Sequence, residues 1–150
     1  MVDDLDKKIL SLLNERPFTT QNEIATELKI TRPTVYSRLQ KLREEKIFHG
    51  YAPIINLEKI GFTLTVLVNT KIKNGKLVEA AQKYAQDPNV CSTYTITGEY
   101  DMLVIAKFHD TKELEQWNQK MTQDTEYIER VNTSLVFTTQ KERTNPNKIE

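Results

Sequence analysis

Thr20-Gln21-Asn22-Glu23-Ile24-Ala25-Thr26-Glu27-Leu28-Lys29-Ile30-Thr31-Arg32-Pro33-Thr34-Val35-Tyr36-Ser37-Arg38-Leu39-Gln40-Lys41-Leu42-Arg43 is the stretch on which the reading of this chain turns. Thr20 is a preferred N-cap residue, and Glu23 stands three positions on, the spacing of a capping box. Ile24, Ala25 and Leu28 give the helix that follows one apolar face. Lys29-Ile30-Thr31 leaves room only for a turn. Thr31 can cap a second helix, and Pro33 suits its first turn, where a missing N–H costs nothing. Val35, Leu39 and Leu42 then fall at i, i+4 and i+7, the spacing of a buried stripe. The opposite side is expected to carry Thr34, Ser37, Arg38 and Lys41, hydroxyls and cations able to reach phosphates and base edges. The pattern is a helix-turn-helix whose second helix is shaped to enter a DNA groove.

Working outward, Leu5, Ile9, Leu12 and Leu13 form the stripe of an earlier helix from about Asp4 to Glu15, ended by Arg16-Pro17. Three helices thus make a first domain, residues 1–50. Ile47 to Ile55, with Gly50 and Pro53 inside it, reads as an extended arm or edge strand, because proline cannot donate to a central ladder. Residues 51–61 form a hinge that closes in a short turn at Leu57–Gly61.

Beyond the hinge the pattern changes. Phe62, Leu64, Val66 and Val68 alternate with Thr63, Thr65, Leu67 and Asn69, the sign of a half-buried strand. Asn74-Gly75 is a turn, and Leu77, Ala80, Ala81 and Tyr84 mark a short amphipathic helix stopped before Pro88. Val90 to Thr97 is β-rich, Gly98-Glu99-Tyr100-Asp101 turns the chain, and Met102 to Phe108 is nearly all apolar, as in a strand covered on both faces. Asp110 with Glu113 offers a further capping box, and Leu114, Trp117 and Met121 mark the inner face of the next helix. Val131 to Thr139 reads as the last strand. The order strand–helix–strand, repeated, gives a four-stranded antiparallel sheet with both helices on one face. That is a ferredoxin-like βαββαβ domain over residues 62–142, followed by a polar tail, 143–150. The whole is α+β. The sheet face without helices needs a partner, and the apolar run Met102–Phe108 is expected to supply the contact.

Of the 150 residues, Lys and Arg number 21 and so do Asp and Glu, so the formal net charge is zero and no overall basic footprint exists. The charge is uneven, however. Lys29, Arg32, Arg38, Lys41, Arg43 and Lys46 face only Glu44 and Glu45 in the same span, so a basic patch lies on the second helix of the pair. A single cysteine, Cys91, excludes an internal disulfide and a cysteine-rich zinc site, and its strand-like setting suggests a buried thiol. No apolar run approaches the ~20 residues of a membrane span, and Met1-Val2-Asp3-Asp4-Leu5-Asp6 is unlike a signal peptide. A soluble cytoplasmic protein is expected.

Four stretches resemble the Lrp/AsnC family, the feast/famine transcription regulators, in order and over nearly the whole chain. They are Leu5-Asp6-Lys7-Lys8-Ile9-Leu10; Glu23-Ile24-Ala25 with Thr34-Val35 to Leu42; Ile47 to Gly61, ending Leu57-Glu58-Lys59-Ile60-Gly61; and Thr97-Gly98-Glu99-Tyr100-Asp101. The resemblance implies a winged-helix-like DNA-binding head. It also implies homodimers that assemble further, to tetramers or octamers, through the body, and in many members an amino acid sensed where dimers meet. Two positions depart from the pattern. Lys29 stands where the turn usually has glycine, which implies a non-glycine residue at positive φ. Tyr36 stands where a smaller residue is usual.

The candidate DNA-contacting residues are Arg32, Thr34, Tyr36, Ser37, Arg38, Lys41 and Arg43. Arg38 is the expected major-groove or phosphate contact, Thr34 and Ser37 are base-edge or phosphate candidates, and Lys41 and Arg43 are backbone anchors. The candidate effector site is Tyr94, Thr97, Gly98, Glu99, Tyr100 and Asp101. There Asp101 would accept from a ligand ammonium, and the Gly98 backbone and Thr97 would donate to its carboxylate. Glu99 adds a second negative charge. His49 and His109 lie in no metal-ligand spacing. No catalytic motif and no cofactor is expected. Two other functions use the same architecture. One is a sirohaem-decarboxylase-like enzyme, for which the body offers only Arg130, Arg143 and His109 toward an anionic tetrapyrrole. The other is an architectural DNA-binding protein without an effector.

Overall fold

A computed structural model describes residues 2–142, 145 and 146. Two compact units result: residues 2–54 together with 141, 142, 145 and 146, and Ile55–Gln140.

The first unit contains α1 (Asp4–Glu15), α2 (Gln21–Leu28) and α3 (Arg32–Glu44). Each start has a chemical cause. Thr20 and Glu23 form the full capping box of α2, and Thr31 caps α3 through the Thr34 N–H with proline in the first turn. α1 carries a box built from two aspartates, in which Asp3 accepts from the Asp6 N–H and Asp6 from the Asp3 N–H. Ile9, Leu13, Ile24, Ala25, Val35 and Leu39 make the core, with Leu5, Leu12, Leu28, Ile30 and Phe48 packed against it. α2 ends at Lys29 in the left-handed region, φ 54° and ψ 44°. Its N–H returns to the carbonyls of Ala25 and Thr26, the work glycine usually does at this position.

Among the described residues the first unit holds no strand. The arm expected over Ile47–Ile55 is irregular backbone. The Phe48 and Tyr51 rings meet edge to face at 5.1 Å, while Ile54 is 91% exposed.

The second unit holds β1 (Leu64–Ile72), α4 (Leu77–Ala85), β2 (Val90–Thr95), β3 (Met102–Phe108), α5 (Thr111–Gln123) and β4 (Ile128–Leu135). A short 3-10 turn, Glu58–Ile60, precedes them. The sheet is antiparallel in the order β2-β3-β1-β4. Val66, Val68, Ile72, Met102, Val104, Ala106 and Phe108 pack beneath Ala80, Tyr84, Trp117 and Met121 of the helices. Strict alternation on β3 leaves Leu103 and Ile105 on the opposite, helix-free face. β3 is therefore covered on one face, and its apolar residues on the other are only half-buried.

Three expectations are corrected. β4 begins three residues before Val131, because buried Ile128 pairs with Ile72, and it stops at Leu135. The β-prone residues Val136 to Thr139 follow, but the ladder to β1 ends at the Val136 N–H, which donates to the Thr65 carbonyl (2.9 Å). Cys91 is exposed and not buried: it is the extra residue where the β2–β3 register shifts between Val90 and Ser92. Asp110 does cap α5, but the Glu113 carboxylate returns to the His109 N–H (2.7 Å), one residue short of a reciprocal box. The expected polar tail, apart from 145 and 146, lies outside the described residues, as does Arg143.

Candidate functional site

α3 buries Val35, Leu39 and Leu42 as its spacing requires. Of the DNA candidates, Arg32, Tyr36, Ser37 and Arg43 are exposed, and Thr34, Arg38 and Lys41 are half-buried. Tyr36 is 52% exposed, and its hydroxyl accepts from Gln40 Nε2 (2.8 Å). Thr34 shares a hydroxyl contact of 2.8 Å with Thr31. The Arg43 guanidinium lies 5.5 Å from the Phe48 ring centroid, a cation–π contact.

Arg38 does not stand on the face opposite the stripe. With Val35 and Leu42 it falls at i, i+3 and i+7, which turns it toward α1. Its Nη1 donates to the Asp3 carboxylate and, at 3.2 Å, to Asp6 Oδ1. Lys41 Nζ lies 3.7 Å from Asp6 Oδ2. Asp6 is fully buried, with its two oxygens set against these two cations. The Asp6 N–H, followed by the Arg38 guanidinium, holds the Asp3 carboxyl below its usual range. Two residues thus escape the sequence reading, Asp3 and Asp6. Their three-residue spacing, the N-cap and N3 positions of a box, is the signal for both.

The loop between β2 and β3 is closed by the Ile96 N–H donating to the Asp101 carbonyl (2.9 Å). Thr97, Gly98 and Glu99 are exposed, and Gly98 has φ +115°, a conformation side chains resist although open space surrounds it. Asp101, expected to receive a ligand ammonium, is already committed. Its Oδ2 accepts the Ile72 N–H and its Oδ1 accepts from Lys71 Nζ, both at 2.9 Å. These contacts, the backbone one first, hold its carboxyl below the usual range. Glu99 accepts from Arg130 Nη2 at 2.6 Å, and the same guanidinium lies 5.0 Å from the Tyr100 ring. Lys71 and Arg130 are direct cross-strand neighbours, so the loop's two acids neutralise a like-charge pair. Tyr94 is 50% exposed and pairs with Leu103. It shares the helix-free face with Leu67, Leu103 and Ile105.

Among the described residues no three His, Cys, Asp or Glu are placed to hold a metal ion. His109 instead meets Glu113 at 3.0 Å and stacks near Phe62. No helix of the described residues is long and apolar enough to cross a membrane.

With that geometry in place, the comparisons with known proteins fall on both units. Residues 2–47 match the family described as winged helix-turn-helix DNA-binding, and residues 65–146 match the Lrp/AsnC ligand binding domain. An HTH-type transcriptional regulator of Pyrococcus furiosus is 36% identical over 141 residues, 94% of this chain and 95% of that protein. In structure, Escherichia coli AsnC aligns with a TM-score of 0.86 at 20% identity, over 97% of this chain and 98% of the other. A transcriptional regulator of Neisseria meningitidis in complex with L-Met aligns at 0.85 with 23% identity, over 96% and 95%.

Proposed function

Because this chain belongs to the Lrp/AsnC family of transcriptional regulators, with a DNA-binding and a ligand-binding domain, we propose that it reads duplex DNA as a homodimer through α3. We propose further that a small amino-acid-like molecule at the 97–101 loop changes that reading. The carrying observation is the pair of capped helices that leaves Arg32, Tyr36 and Ser37 exposed on α3, with Thr34 beside them. Arg32 and Ser37 take the role of direct contacts, and Tyr36 adds an apolar surface beside them. Arg43 serves as a backbone anchor, with Lys41 on the flank. Two heads about one helical turn apart would read a pseudo-palindrome.

Dimerisation uses the helix-free sheet face, where Leu67, Leu103, Ile105 and Tyr94 stand together. Apolar surface left in water costs about 25 cal/mol per Å², so such a face favours a second copy. Further assembly to a tetramer or octamer would bring two loops together. At the loop, a ligand carboxylate would be met by backbone N–H groups near Gly98 and by Thr97. A ligand ammonium would draw on Glu99 in competition with Arg130, while Asp101 holds the loop to β1. The L-Met complex of the Neisseria regulator supports a ligand of this class.

The test is the affinity of the intact chain for a labelled duplex, with each amino acid added at millimolar concentration. At least one should shift the affinity. No shift with any of them assigns the loop a purely structural role and favours the architectural reading, a DNA-packing protein without an effector. The decarboxylase reading draws no support from the site, since Arg130 is bound to Glu99.

A further inference from the structure

Asp3 has two oxygens with separate tasks. Oδ1 accepts the Asp6 N–H at 2.9 Å and caps α1. Oδ2 takes Arg38 Nη1. Asp6, on the other side of the same guanidinium, is buried, whereas the Asp3 side chain is 49% exposed. Two cations, Arg38 and Lys41, here stand against two acidic side chains, Asp3 and Asp6. An exposed carboxylate on an arginine of the DNA-reading helix has the charge and the donor–acceptor geometry of a DNA phosphate oxygen.

Resting on the DNA-reading role of α3, we propose that the Asp3 carboxylate is an internal competitor for Arg38: it occupies the guanidinium in the free protein and yields it to a backbone phosphate when DNA binds. The exchange leaves the α1 cap intact, because Oδ1 is not involved. It also leaves Asp6 paired, because Arg38 keeps its inner contact and Lys41 stays beside the second oxygen. Asp3 therefore sets how much affinity the Arg38–phosphate contact adds. With Asp3 in place, each Arg38–phosphate ion pair is offset by the Arg38–carboxylate ion pair it replaces, so Arg38 adds little net affinity. Sequence-independent binding is held down while the contacts of Arg32 and Ser37 are untouched.

Asp3→Ser separates the two tasks, since serine is an equally good N-cap but lacks the second oxygen. The experiment follows binding of the intact chain to a fluorescein-labelled mixed-sequence duplex over a salt series. Wild type, D3S, R38Q and the double variant are compared, each checked for folding by circular dichroism. D3S is expected to bind several-fold more tightly at low salt. Its plot of log affinity against log salt should keep nearly the wild-type slope, because Arg38 neutralises the same phosphate in both proteins. In the R38Q background D3S should give no gain. An unchanged affinity in D3S overturns the proposal, as does a slope steeper by about 0.9 per head, which means that Asp3 keeps Arg38 off the phosphate in the wild type. So does an equal gain with and without Arg38, which marks a general charge effect. If R38Q does not fold, nitrogen NMR of the arginine side chains in wild type decides: the Arg38 signal moves on duplex addition if the exchange occurs and stays if it does not. Absence of wild-type binding even at low salt overturns the DNA-reading role itself, a result separate from all of these.

Discussion

Lys29 and Lys46 are the two non-glycine residues of the described chain at positive φ, 54° and 55°. An L-residue in this region costs roughly 1–2 kcal/mol, which glycine avoids. Lys29→Gly should therefore stabilise the helical unit by about 1 kcal/mol, seen as a higher urea midpoint at unchanged slope. Asp101 yields a prediction in pH. Its folded carboxyl titrates below the ordinary 3.8 because the Ile72 N–H and Lys71 favour the charged form. The unfolded chain therefore binds the proton first as acid is added. The stability this contributes is complete above the ordinary value and disappears as pH falls through the depressed one. Asp101→Asn should lower the melting temperature at neutral pH and flatten its decline below about pH 4, the side that follows from that direction of shift.

At the scale of elements, caps and stripes carry most of the fold and are local in sequence, so they are legible there. Thr20, Thr31 and Asp110 sit where their helices start, and the alternation on β1 and β3 names the buried residues. What sequence does not show is which partner is available. Val136 to Thr139 have strand chemistry, yet the ladder to β1 ends at the Val136–Thr65 bond, and Cys91 is turned outward by a register shift that only the pairing reveals. The site divides in the same way. Exposure of Arg32, Tyr36 and Ser37 follows from helical spacing, whereas the commitments of Arg38 to α1 and of Asp101 to β1 are contacts across 32 and 29 residues or more. Thr31→Ala should cost about 1 kcal/mol of stability by equilibrium denaturation, since the α3 start loses its side-chain acceptor. The same change should weaken DNA binding, because α3 then frays at the end that carries Arg32.

For the whole molecule, the decisive surface is the helix-free sheet face. Leu103→Lys or Ile105→Lys should yield a folded 17.5 kDa species in sedimentation where the wild type, on the proposed assembly, should run as a dimer or larger. Val104→Lys places the charge among Val66, Val68 and Phe108 instead, and should unfold the unit. A wild type that sediments as a clean monomer at micromolar concentration overturns the dimer.

The lacing of the loop to β1 has a consequence for motion. The Asp101 N–H donates to the Thr70 carbonyl, and the Asp101 carboxylate returns to the Ile72 N–H, so the β2–β3 turn is sewn to a third strand as well as to its own hairpin. β1 in turn lies between β3 and β4, at the centre of the sheet. A turn joined only by its hairpin would exchange its amide protons with solvent by local fraying. Here the Asp101 and Ile72 amides can open only when the central strand lets go. They should exchange deuterium with the slow set of the sheet core, while the amides of Gly98 and Glu99, in the same turn, exchange with the fast set.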